Sequence, residues 1–210
     1  LSILARWGVY AISHNTWIHR IVEVGVRQLV HTSITPNQIT TLRLTTGVGA
    51  AMMYSIGLEF WTYIGSVVFV ISIFLDRADG ILARLRGSTS LWGHNYDLIS
   101  DSISNSLTLI GIGIGLRNSA LDIWAIPIGV IAGISISAVL WLVMRAESEN
   151  GIRSAELEGR AGFDPDDAMV LVPLAMVLDW GTYLIIAAAI GSTLFTIVFF
   201  WKFREFLFRK

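Results

Sequence analysis

Residues 76–84 read Asp76-Arg77-Ala78-Asp79-Gly80-Ile81-Leu82-Ala83-Arg84, and eight residues later 93–101 read Gly93-His94-Asn95-Tyr96-Asp97-Leu98-Ile99-Ser100-Asp101. A long apolar run, about 60–84, leads into the first stretch, and another, about 94–116, leads out of the second. Asp76 and Asp79 stand at i, i+3 and Asp97 and Asp101 at i, i+4, so on helices each pair shares a face. The short connection makes the two helices antiparallel neighbours, and the two pairs can converge. Four carboxylates at membrane depth are costly, and such residues are functional by default. Divalent metal relieves the cost. Carboxylate oxygens without His or Cys suit Mg²⁺ or Mn²⁺, and Mg²⁺ sites often include substrate phosphates. Gly80, Ala83 and Gly93 leave room for a ligand or a backbone to approach. Arg84 can meet phosphate oxygens as a fork. The residues alone therefore suggest a metal–diphosphate site.

The rest of the chain fits a bilayer. Of 210 residues, 54% are hydrophobic and only 15% charged, against about 25% charged in a typical soluble domain. The net charge of -1 gives no reason to expect a nucleic-acid partner, and the absence of cysteine excludes disulfides and thiolate metal sites. Arg6, His14, His19 and Arg20 break the first apolar stretch, which is unlike a cleavable signal peptide.

A spanning helix needs roughly 20 mostly apolar residues. Six segments approach that length: about 38–58, 60–84, 94–116, 121–145, 166–180 and 182–203, the fifth being short. Thr35-Pro36 reads as an N-cap followed by Pro at the first helical position, and Asp164-Pro165 repeats the signal. Residues 1–33 form a separate juxtamembrane unit before the six-helix domain, 34–210. In it Arg6, Ser13, Arg20 and Arg27 recur every seven residues beside an apolar remainder, as in an amphipathic helix lying in the interface with Trp17 as an anchor; a packed soluble helix is the bland alternative. With six spans, fourteen of the fifteen Lys and Arg residues fall on the side of the termini and only Arg117 on the other. The positive-inside rule then places both termini and the aspartates in the cytoplasm, with the cell (inner) membrane as the expected location.

Asp76-x-x-Asp79-Gly80-x-x-Ala83-Arg84, eight residues, then Gly93-x-x-x-Asp97-x-x-x-Asp101 resembles the complete signature of the CDP-alcohol phosphotransferase family. The resemblance takes in the six-helix plan, the N-terminal amphipathic helix and Thr35-Pro36-Asn37, and more weakly Arg145-Ala146-Glu147. It implies that Asp76, Asp79, Asp97 and Asp101 bind metal, two ions of Mg²⁺ or Mn²⁺. It further implies that Asp101 is the general base, and that Gly80, Ala83, Arg84 and Gly93 shape the CDP site along with Asp79. The implied activity is transfer of a phospho-alcohol from a CDP-alcohol, CDP-diacylglycerol first, to an acceptor hydroxyl with release of CMP in phospholipid biosynthesis. A CDP-linked small polar alcohol with a lipid or second alcohol as acceptor is the alternative. The resemblance also suggests a homodimer. Asn37 and Thr40 can reach the nucleotide or serve as caps, and Arg43 can face the cleft.

Weaker features follow. Ser104, Asn105 and Thr108 continue the polar face past Asp101, as a head-group cavity wall or as interhelical hydrogen bonds. Gly111-x-x-x-Gly115 and Gly129-x-x-x-Gly133 permit close helix packing, read slightly in favour of the dimer. Relatives that take a phosphorylated acceptor carry basic residues where this chain has Phe163-Asp164-Pro165-Asp166-Asp167 and Val143. An acidic rim repels phosphate, so the acceptor is expected to be neutral, cationic or a lipid rather than a sugar phosphate; Asp164, Asp166 and Asp167 also suit plain capping. An ion-coupled transporter is the rival of another class. It fits poorly, because transporter sites lie near the midplane, often between repeats, and this chain shows no repeat.

Overall fold

The computed structural model describes residues 17–150 and 169–207. These form seven α-helices: α1 Trp17–Leu29, α2 Pro36–Ile56, α3 Glu59–Leu85, α4 Leu91–Gly115, α5 Ala125–Asn150, α6 Leu171–Val177 and α7 Gly181–Leu207. No strand occurs among the described residues. Helices α2 to α7 overlap the six expected segments, with α6 seven residues long as described and α5 running on to Asn150. Three stretches are long and apolar enough to cross a membrane: Leu91–Asn118, Asp122–Leu142 and Gly181–Trp201. Large apolar side chains face outward along the bundle, including Trp124, Trp180, Tyr183 and Trp201. Water would not tolerate so wide an apolar surface, and lipid does.

Local sequence sets the helix ends that matter. Thr35 and Gln38 form a capping box, with the Thr35 amide donating to Gln38 Oε1 at 2.8 Å and the Gln38 amide to Thr35 Oγ1 at 3.3 Å. At the far end of α2, Gly57 takes φ 74, where a side chain would be strained. Ser90 caps α4 by accepting from the Gly93 amide at 3.0 Å.

α2 packs on α3 and α4, α4 on α5, and α5 on α7, while α1 and α6 lean on α3. One core joins Ala50, Tyr54, Phe69, Leu109, Ile112, Ala132, Val172 and Ile185. A second joins Val22 and Val26 of α1 to Ile39, Ala78, Ile81 and Leu82, so the described part of α1 buries its apolar face on α3. The polar stripe's earlier members, Arg6 and Ser13, lie outside the described residues, and the acidic run 163–167 does too.

The glycine pairs do not face outward as a dimer seam. A β-carbon on Gly111 would lie 2.3 Å from the Ala51 carbonyl oxygen, and one on Gly115 2.1 Å from that of Tyr54. On Gly129 and Gly133 it would lie 2.8 Å from the carbonyl oxygens of Leu109 and Ser106. The preference for dimer packing is therefore corrected: α4 needs these positions bare to approach α2 and α5 within one chain.

Two arginines tie helix ends. Arg86, just past α3, donates to the carbonyls of Val30 at 3.0 Å, Ile34 at 2.6 Å and Thr32 at 2.7 Å, and also to that of Leu29. At the other end Arg117 donates to Ser55 and Ile114 carbonyls at 3.0 and 2.9 Å.

Candidate functional site

The last turns of α3 and the first turns of α2 and α4 meet at one end of the bundle. The contact is direct: a β-carbon on Gly93 would sit 3.1 Å from Ser90 Oγ and 3.4 Å from Asn37 Oδ1. One turn deeper, the Thr41 and Tyr96 hydroxyls lie 2.8 Å apart. The positive ends of two helix dipoles thus point toward this end, a setting that favours carboxylates and phosphates.

Here the two aspartate pairs converge. Asp76, Asp97 and Asp101 each present a carboxylate oxygen, and these oxygens lie within 4.8 Å of one another. Asp79 lies beside these three and is held by bonds of its own. Its Oδ2 lies 2.5 Å from the Thr40 hydroxyl and its Oδ1 2.5 Å from the Gly80 amide, and the residue is 3% exposed. Gly80 and Ala83 are half-buried and Arg84 is exposed. The Arg84 guanidinium reaches back over Gly80, where a β-carbon would stand 3.5 Å from Nη1. Asn37 is exposed at the mouth, whereas Thr40 is buried and its hydroxyl is already engaged by Asp79.

Arg43, which the sequence allows to face the cleft, sits among the aspartates and pairs with two of them, a role that the sequence reading did not give it. It is 4% exposed, with Nη2 2.5 Å from Asp101 Oδ1 and Nε 3.2 Å from Asp76 Oδ1. Asp76 also has Arg77 Nη1 3.8 Å from its Oδ2. The signal was present: Arg43 stands three residues after Thr40, which on a helix gives both the same face.

Divalent metal fits this donor set. Asp97 Oδ1 is buried and accepts no hydrogen bond, a state that costs about 1–3 kcal/mol or more for a charged group. Three converging carboxylates repel one another, and a hard cation with oxygen ligands answers both problems. Below the aspartates, Ser104 and Thr108 are wholly buried rather than lining a cavity. A β-carbon on Gly47 of α2 would stand 2.6 Å from Ser104. That face of α4 serves tight packing against α2, which holds Arg43 over the aspartates.

Comparison with known proteins agrees with this geometry. Residues 33–201 match the family described as CDP-alcohol phosphatidyltransferase. A phosphatidylinositol phosphate synthase of Streptomyces avermitilis is 30% identical over 167 residues, 70% of this chain and 67% of that protein. An archaetidylinositol phosphate synthase of Pyrococcus horikoshii is 30% identical over 92 residues, 42% of this chain and 46% of that protein. Among solved structures, the phosphatidylinositol phosphate synthase of Mycobacterium tuberculosis with CDP-DAG bound superposes with a TM-score of 0.65 at 21% identity, covering 87% of this chain and 94% of that one. The same synthase with manganese and citrate gives 0.65 over 86% and 88%. At that identity the likeness is one of fold.

Proposed function

Because the chain belongs to the CDP-alcohol phosphatidyltransferase family, we propose that it transfers a phosphatidyl group from CDP-diacylglycerol to the hydroxyl of a small polar alcohol, releasing CMP. The observation that carries this reading is the meeting of Asp76, Asp97 and Asp101 beside Asp79-Gly80 and Gly93 at one bundle end. The Mycobacterium tuberculosis synthase that shares the fold holds CDP-DAG in its crystal structure, which supports a lipid-linked donor.

Asp76, Asp79, Asp97 and Asp101 would hold Mg²⁺ or Mn²⁺, two ions in all. When bound, the metal supplies Lewis-acid stabilisation of the phosphoryl group. Asp101 takes the proton from the acceptor hydroxyl, the freed oxygen attacks the phosphorus that bears the donor alcohol, and CMP departs. Gly80, Ala83 and Gly93 keep the floor of the CDP site low. Arg84 and Asn37 reach the nucleotide from its rim. Thr40 acts through Asp79, fixing that carboxylate, rather than on the nucleotide itself.

The six apolar segments that contain α2 to α7 span the membrane, with both termini and the aspartates facing the cytoplasm, as the distribution of Lys and Arg favours. The chain works as a homodimer through a surface other than its glycine pairs.

The acceptor is an unphosphorylated alcohol in this reading, on the strength of the acidic run 163–167 and of Val143. The names of the two curated relatives favour a second reading, an inositol phosphate acceptor. An assay of purified protein with Mg²⁺ or Mn²⁺, CDP-diacylglycerol and a panel of alcohols and their phosphates separates the two, with CMP and lipid product read by mass spectrometry. Faster turnover of a sugar phosphate than of its parent alcohol overturns the first. Asp101→Asn is expected to abolish turnover while donor binding persists, and undiminished turnover in that variant refutes the base assignment.

A further inference from the structure

We propose that Arg43 is a positioning residue, a fixed internal cation that gathers Asp76 and Asp101 before any metal arrives. The proposal rests on the reading of Asp101 as base and of Asp76 as metal ligand. Four features of the molecule carry it.

First, the guanidinium touches both aspartate-bearing helices, with Asp76 Oδ1 of α3 at 3.2 Å and Asp101 Oδ1 of α4 at 2.5 Å. Arg77 approaches Asp76 from the same helix, at 3.8 Å. Second, Arg43 is 4% exposed, so its charge acts through protein rather than water and is weakly screened. Third, neither contact has hydrogen-bond geometry, for Arg43 Nε, Arg43 Nη1 and Asp101 Oδ1 are all buried without a hydrogen-bond partner. The bridge is one of charge. Fourth, the backbone beneath Arg43 is clamped. Ser72 Oγ donates to the Arg43 carbonyl at 3.0 Å, and Gly47, one turn on, lies against Ser104 of α4. Arg43 is therefore fixed relative to both aspartate helices, and a buried carboxylate cluster can exist folded without metal because an arginine already offsets part of its charge.

The test compares Arg43→Gln and Arg43→Lys with the parent protein in detergent, metal-stripped and with Mn²⁺ added. Thermal unfolding is one readout and CMP release the other. Arg43→Gln removes the internal cation, so its unfolding temperature should fall in EDTA and recover on addition of Mn²⁺ by more than the parent's does. Arg43→Lys keeps a charge but lacks a fork wide enough for both carboxylates. Its response to Mn²⁺ should resemble the parent's, while kcat falls by about 10²-fold, the scale of a 1 Å misplacement of a reacting group. An equal loss of unfolding temperature in Arg43→Gln with and without Mn²⁺ indicates a merely structural residue and overturns the proposal, as does a parent-like kcat in Arg43→Lys. Failure of the parent itself to release CMP from any CDP-alcohol counts against the enzymatic reading instead, and the unfolding comparison still decides whether Arg43 preassembles the cluster.

Discussion

The Thr40 hydroxyl lies 2.5 Å from Oδ2 of Asp79, joining the second turn of α2 to the fourth carboxylate of the motif. Both residues are buried, at 2% and 3% exposure, so water cannot replace the bond if it is lost. Thr40→Val keeps the shape and removes the donor. Stability should drop by about 1–3 kcal/mol, the cost of a stranded buried acceptor, and Thr40→Ser should restore it. Unfolding in detergent measures the first effect. CMP release should fall in parallel, by about tenfold, as Asp79 loses its orientation.

Much of this site is legible in the chain because its chemistry is written in spacing. Asp76 with Asp79, and Asp97 with Asp101, share helix faces whatever surrounds them, and the short link at 85–92 leaves those helices little choice but to pair. For Arg43 such a reading allows a place on the cleft but not its pairing with Asp76 and Asp101. One arginine in an apolar segment fixes no spacing, and its place depends on how α2 crosses α3 and α4. Thr40 looked like a cap or a nucleotide contact for the same reason: the partner that claims it is 39 residues away. The glycine pairs misled in another way. Small residues four apart announce close approach of a helix but not whose, and here α2 and α5 of the same chain take the space.

Gly111 tests that last point. A β-carbon there would lie 2.3 Å from the Ala51 carbonyl oxygen, which is backbone and cannot swing aside. Gly111→Ala should force α2 and α4 apart and cost about 1–3 kcal/mol by overpacking. Crosslinking in bilayers should find the same oligomeric state as in the parent. Loss of dimers with unchanged unfolding temperature would return Gly111 to an intermolecular seam.

Arg86 makes a separate prediction about α1. Its guanidinium gathers the carbonyls of Leu29, Val30, Thr32 and Ile34, which follow or end that helix; that of Leu29 also accepts from Thr32. Arg86→Met should leave them to solvent and loosen α1 from the apolar patch of Ile81 and Leu82. Hydrogen exchange over Trp17–Leu29 should quicken by about tenfold, a local opening rather than global unfolding. Exchange in α5 and α7 should not change, because neither helix packs on α1.

Metal removal should act on the aspartate cluster. Asp97 Oδ1 is buried without a hydrogen bond, and the oxygens of Asp76, Asp97 and Asp101 crowd within 4.8 Å. A ligand that binds the folded state and not the unfolded chain stabilises it by mass action, about 2.7 kcal/mol at a hundredfold excess over Kd. Chelation should therefore lower the unfolding temperature and stop CMP release together, and Mg²⁺ or Mn²⁺ should restore both. Asp97→Asn removes one ligand charge and relieves the repulsion at once. In EDTA that variant should melt no lower than the parent, and on adding metal it should gain less. If it gains as much as the parent, Asp97 is not among the groups that hold the ion, and the cluster's crowding must be relieved by some other means.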